Sequence, residues 1–241
     1  MSCSEKTDLI LWDLKGQQLA KVDTYLMSTM CARVSPCGRF VVASGFTPDV
    51  KVWEVCFSKT GDFQTANRVF ELSGHSSGVY DFDFNSDSSL MATVSKDGTW
   101  KAFDTKIEYK KGEDPHLLMT GKYTQRSYIS HIALSPNGEV VAVSSGSSLS
   151  FFSVLSGECD GTIENVYPGP ITCLLFDALG KFLLTAGDKH IRVFHNVTGY
   201  RTSIASNRAK LRQSVSSAQK ERIEQQIREC EDFLKNFSKS S

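Results

Sequence analysis

The sequence has no Cys-x-x-Cys pair, although seven cysteines are present. They lie scattered at 3, 31, 37, 56, 159, 173 and 230. An odd, irregular set of this kind resembles neither a disulfide framework nor a zinc site, and it implies the reduced thiols of a cytosolic protein. No apolar stretch follows Met1, so the opening residues do not read as a signal peptide. The longest uncharged run, 140–157, holds seven serines and two glycines in 18 residues. It reads as strand, turn and strand, not as a membrane span.

Phosphate-binding loops are missing as well: neither G-x-x-x-x-G-K-[ST] nor G-x-G-x-x-G occurs, and both cradle phosphates through glycine backbone. Net charge is lacking, since 27 basic residues balance 27 acidic ones. That excludes a strongly basic, nucleic-acid-coating chain. The balance hides an asymmetry: residues 201–241 carry nine basic and five acidic side chains, an excess of four. Apolar residues at 40% and charged residues at 22% are ordinary for a globular chain.

What the sequence does have is an internal repeat. Turn segments Ser35-Pro36-Cys37-Gly38, Asn85-Ser86-Asp87-Ser88, Ser135-Pro136-Asn137-Gly138 and Asp177-Ala178-Leu179-Gly180 start 50, 50 and 42 residues apart. An alternating apolar strand precedes each turn, at 30–34, 79–84, 131–134 and 171–176. A strand rich in small residues follows, at 40–44, 90–95, 140–144 and 182–186. A third strand ends on an aromatic, giving the series Trp12, Trp53, Phe103, Phe152 and Phe194 with gaps of 41, 50, 49 and 42. Fourth strands are expected at 17–22, 68–72, 117–123, 159–163 and 200–204. Four short strands per repeat of about 40–45 residues is the signature of a β-propeller blade. A helical solenoid would carry an apolar period of 3.6 inside each repeat, and these repeats do not.

The tail differs. Leu211, Val215, Ala218, Ile223, Ile227, Cys230, Leu234 and Phe237 recur at spacings of three to five, which predicts one amphipathic helix over 207–237. Ser206 or Asn207 is placed to cap it. Its apolar stripe either docks on the rim of the sheets or is held out for a partner or for oligomerisation as a coiled coil. The chain therefore divides at 1–204 and 205–241.

Gly74-His75 stands before a first strand, Ser95-Lys96-Asp97-Gly98-Thr99 leads into Phe103-Asp104, and third strands end in Trp12-Asp13 and Trp53-Glu54. These residues resemble the WD40 repeat. The phrases at 35–40, 45–56, 94–101 and 194–196 are similar to the transducin beta-like group of WD40 proteins, and the resemblance runs over nearly the whole chain. It implies an all-β WD40 β-propeller, here incomplete, with about four and a half blades of seven and a C-terminal α-helix. The opening residues look like the end of a second strand and the third strand of a blade that begins upstream. Free sheet edges then predict low solubility for the isolated chain.

The resemblance also implies that His75, Ser95 and Asp97 form a structural hydrogen-bond network, not a hydrolase triad. Phe103 stands where the network's tryptophan falls and has no N–H to donate. With Trp12, Asp13, Trp53, Glu54, Asp104, Phe152 and Phe194 they are structural positions. No catalytic residue, cofactor or metal is expected. His190 and His195 fall on opposite faces of a strand and do not form a metal pair. A non-enzymatic interaction scaffold is the expected function. The transducin beta-like resemblance implies work on the cytosolic face of the endoplasmic reticulum, in unfolded-protein-response signalling. The implied partners are an eIF2α kinase and the translation machinery. The alternative is RNA or ribosome binding through basic contacts at Lys110, Lys111, Arg208, Lys210 and Arg212, with Tyr109 and Tyr123 as stacking partners.

Overall fold

The computed structural model describes residues 1–3, 7–126, 128–213 and 216–240; the expected helix residue Val215 lies outside them. Five antiparallel sheets follow one another along the chain. Sheet one is β1 (Ser2–Cys3), β2 (Asp8–Trp12) and β3 (Gln18–Asp23). Sheet two is β4 (Thr29–Val34), β5 (Phe40–Gly45), β6 (Val50–Phe57) and β7 (Phe63–Leu72). Sheet three is β8 (Val79–Phe84), β9 (Leu90–Ser95), β10 (Thr99–Asp104) and β11 (His116–Lys122). Sheet four is β12 (Ser130–Leu134), β13 (Val140–Ser145), β14 (Ser148–Ser153) and β15 (Cys159–Ile163). Sheet five is β16 (Cys173–Phe176), β17 (Phe182–Ala186) and β18 (Ile191–His195). Each is a simple meander in chain order.

The repeated turn between first and second strands has one backbone requirement. Its fourth residue takes positive φ at Gly38 (70°), Gly138 (74°) and Gly180 (68°), and at Ser88 (60°) in sheet three. Glycine suits that conformation because it has no Cβ to clash. The turn closes by a hydrogen bond from the fourth N–H to the first carbonyl, 2.8 Å at Gly38 and Gly138. A second repeated device sits before the aromatic of the third strand. The register against the fourth strand shifts at Leu11/Trp12, Val52/Trp53, Ala102/Phe103 and Phe151/Phe152. Such a bulge re-aims the side chain that follows it.

Four apolar cores fill the four gaps between the five sheets. Leu9 and Leu11 meet Val41, Ala43 and Trp53. Val50, Val52 and Phe70 meet Phe82, Met91 and Phe103. Val94, Trp100 and Ala102 meet Ile132, Val141 and Phe152. Leu149 and Phe151 meet Leu174, Phe176 and Leu183, with Phe194 packed alongside. The rule is uniform: each third-strand aromatic packs back on the preceding sheet, and the alternate third-strand residues pack forward on the next. Middle strands are thus covered on both faces, which is why β5, β9 and β13 read as unbroken apolar and small runs. Where no further sheet lies alongside among the described residues, the rule leaves side chains exposed. Trp12 is 42% exposed on the outer face of sheet one, and Ile191 and Val193 are 70% and 57% exposed on sheet five.

The expected strand at 200–204 is instead helix. α1 (Val197–Leu211) and α2 (Ser217–Ser240) replace the single helix expected over 207–237. The cause is local: the Asn196 side chain accepts the Gly199 N–H at 2.9 Å and caps a helix directly after β18. Sheet five consequently has three strands. α1 packs on sheet four and on α2. Tyr200 stacks on Phe233 at 4.0 Å between centroids, and the His195 ring meets Phe233 and Phe237. Ile223, Ile227, Cys230 and Leu234 are half-buried or buried, so the apolar stripe of the tail is turned inward, where a coiled coil needs it outward.

Candidate functional site

His75 sits in the loop before β8, and its two ring nitrogens meet the β9–β10 turn and β9 itself. Nδ1 lies 2.9 Å from Asp97 Oδ2 and Nε2 2.8 Å from Thr93 Oγ1. With the proton on Nδ1, the ring donates to Asp97 and accepts from the Thr93 hydroxyl. Asp97 also accepts the Ser76 N–H at 3.0 Å, the Thr99 N–H at 2.9 Å and the Thr99 hydroxyl at 2.6 Å. Burial pushes His75 below its ordinary value and outweighs the carboxylate beside it, so the ring is neutral. For Asp97, burial acts upward, but hydrogen bonds from Thr99, Ser76 and His75 prevail and hold it at about 2.

Ser95 is joined to this network through Asp97 and not through the His75 ring. Residues 93 and 95 share a face of β9, and it is Thr93 that reaches the ring. Ser95 Oγ donates to the Gly78 carbonyl at 2.9 Å and accepts the Asp97 N–H at 3.2 Å. It is fully buried. No nucleophile–base contact joins Ser95 to His75, so the three do not form a triad.

The acidic residues after the aromatics act on the next turn. Asp13 Oδ1 accepts the N–H groups of Lys15 (2.9 Å) and Gln17 (2.7 Å), and Asp104 Oδ1 that of Lys106 (2.8 Å). Glu54 instead binds Arg39 at 2.7 Å and the Tyr109 hydroxyl at 2.9 Å. Trp53, Phe103 and Phe152 are buried, Phe194 half-buried, and the Trp12 indole donates to Ser2 Oγ at 2.9 Å.

The basic residues singled out from the sequence are seated on different elements. Lys110 and Lys111 are exposed on a short 3-10 turn (Tyr109–Lys111) beside β7. Tyr109 itself is not open for stacking: its ring packs against Phe40 and Phe70, under the Arg39 guanidinium. Burial and Glu54 push its hydroxyl up to about 12. Tyr123 is likewise engaged, donating to the Ser95 carbonyl at 2.7 Å. On α1, Arg208 pairs with Glu231 of α2 at 2.7 Å, while Lys210 and Arg212 are exposed. His190 pairs with Asp188 at 2.9 Å, away from the ring contacts of His195.

A second polar cluster was missed in the sequence. Arg33 of β4 forks onto Asp81 and Asp83 of β8, 3.0 Å to each. The same carboxylates accept backbone N–H groups from β12, Ile132 to Asp81 at 3.3 Å and Leu134 to Asp83 at 3.0 Å. His131 Nδ1 lies 3.4 Å from Asp81. Burial pushes Asp83 up, and Arg33 only partly offsets it. Asp81 is held down despite burial, by His131 and Arg33. The only sequence signal was the pair of carboxylates two apart inside an apolar strand. Among the described residues, no cluster of three or more metal-ligating side chains occurs, and no helix is long and apolar enough to cross a membrane.

Meanders of three or four strands in five successive sheets, a His75–Asp97 network at one tight turn, and an acid after the third-strand aromatic at Trp12, Trp53 and Phe103 define the pattern. The chain carries WD40 repeats. The WD domain, G-beta repeat, matches residues 66–104 and 157–195. Each match runs from the outer strand of one sheet to the third strand of the next, so the sequence repeat straddles two sheets. The chain resembles human transducin beta-like protein 2, with 45% identity over 98% of this chain and 54% of that protein. The mouse protein of the same name is 44% identical over the same shares. Cleavage stimulation factor subunit 50 of Arabidopsis thaliana is 25% identical over 70% of this chain and 40% of its own length. The chain thus spans about half the length of the transducin beta-like proteins it matches.

Proposed function

We propose that the chain is a non-enzymatic interaction scaffold that works on the cytosolic face of the endoplasmic reticulum, in unfolded-protein-response signalling. Its partners in this reading are an eIF2α kinase and the translation machinery. The single observation that supports it is the 45% identity to transducin beta-like protein 2 along 98% of the chain. The hydrogen-bond network is in keeping with a structural role: His75, Ser95 and Asp97 spend their polar atoms on each other, on the Thr93 and Thr99 hydroxyls and on backbone. WD40 sheets present loop surfaces to other proteins, an argument made at the level of the fold. Recognition is assigned to the sheets, which end at His195, with the helices from Val197 as a docked support.

The test is proximity labelling and pull-down of the chain from stressed and unstressed cells, at low and high salt. Recovery of a kinase and translation factors, enriched under stress and retained at high salt, is the expected result. RNA-dependent recovery that collapses with salt and with neutralisation of Lys110, Lys111, Arg208, Lys210 and Arg212 would replace the proposal by the RNA-binding alternative.

A further inference from the structure

We propose that Asp81 and Asp83 form a polar key that fixes the register of sheets two, three and four against one another. The apolar cores between these sheets give attraction without direction, so they do not set how far one sheet slides along its neighbour. The first strand of each sheet is an edge, and alternate N–H groups along it point away from its own ladder. On β12 these are Ile132 and Leu134. On β8, Asp81 and Asp83 share a face because side chains alternate. Two carboxylates spaced by two residues meet two amides spaced by two residues. Arg33 closes the other side, its planar fork reaching one oxygen of each carboxylate from β4. A slip of one residue at either junction strands buried carboxylates away from their donors. The key therefore penalises slipped arrangements that the apolar contacts would tolerate. It holds whatever the sheets bind.

The groups facing the key are Cys31 and Arg33 on β4 and His131 on β12. Arg33 is shared by two carboxylates, and the consequence is a specific pattern of coupling. Arg33→Ala in the full chain is expected to lower Tm by at least about 6 °C, because the counter-charge shared by Asp81 and Asp83 is removed. Adding Asp83→Asn is expected to restore at least half of that loss, since it removes the excess negative charge. The deficit of Arg33→Ala should also narrow between about pH 7 and about pH 5, because Asp83 then takes up a proton more readily folded than unfolded. Hydrogen exchange supplies a second reading that does not depend on that variant folding. Asp83→Ala should speed exchange at Leu134 at least tenfold relative to Ile132, whose acceptor Asp81 remains. A double variant no more stable than Arg33→Ala, or equal acceleration at both amides, overturns the key.

Discussion

His75 shows how a buried polar group specifies structure. Its ring is satisfied on both nitrogens, and each partner is held in turn: Thr93 by its strand, Asp97 by three further donors from Ser76 and Thr99. Removing Asp97 strands all of them. Asp97→Ala is expected to cost about 3 kcal/mol, and Thr93→Val about 1–3 kcal/mol, in urea unfolding. Stability should also fall with acid, and the signs agree. His75 has a lowered folded pKa, so its contribution is full above the unfolded value of about 6.5 and is lost as pH falls below it. Asp97, held at about 2, contributes above its unfolded value of about 3.9 and loses that as pH falls through about 2. A pH series of unfolding midpoints that stays flat for wild type from 7 down to 3 would contradict both. His75, Ser95 and Asp97 were legible as candidate network positions through the WD40 resemblance. Thr93, the hydroxyl that meets the ring, was not, because Thr93 and Ser95 lie on one face and only the depth of the His75 loop decides between them.

At the scale of elements, the tail is where repeat logic misleads. Four preceding repeats place a strand after the third-strand aromatic, and the same position after Phe194 becomes α1. Asn196 supplies the cap, and Asp160 of β15 holds Thr198 at 2.8 Å and Arg201 at 2.9 Å. Asn196→Ala is expected to lose about 1 kcal/mol and to fray the first turn of α1, seen as faster amide exchange at Gly199. The tail carries an apolar period in the sequence, but periodicity does not name the surface that covers it. Phe233, stacked on Tyr200 and beside His195, does. Phe233→Ala should release α2, at a cost of about 2–4 kcal/mol to the docked state. The expected readout is protease cleavage within α2 while the sheets stay resistant; uniform resistance would place the anchor elsewhere.

At the scale of the whole chain, the described residues form a row of five sheets, and no other sheet among them covers Trp12 at one end or Ile191 and Val193 at the other. The positions of Ile191 and Val193 correspond to Val50 and Val52, Trp100 and Ala102, and Leu149 and Phe151, all of them buried in the inner gaps. Bare apolar sheet faces favour association. Replacing Ile191 and Val193 with lysine is expected to lower self-association of the chain in light scattering at micromolar concentration, with the fold retained by circular dichroism. Unchanged association would move its cause to another surface.

The sequence by itself determined the repeat: the turn residues, the alternation of first strands, the small-residue middle strands and the aromatic ladder are local signals, fixed by backbone sterics and side-chain period. It determined the class through them. Only the tertiary structure decided which hydroxyl His75 meets, what covers the tail, and that Asp81 and Asp83 draw Arg33 from 48 and 50 residues away. Those contacts join residues remote in the chain. They depend on how sheets stack and on how deep a loop sits, and neither leaves a period for the sequence to carry.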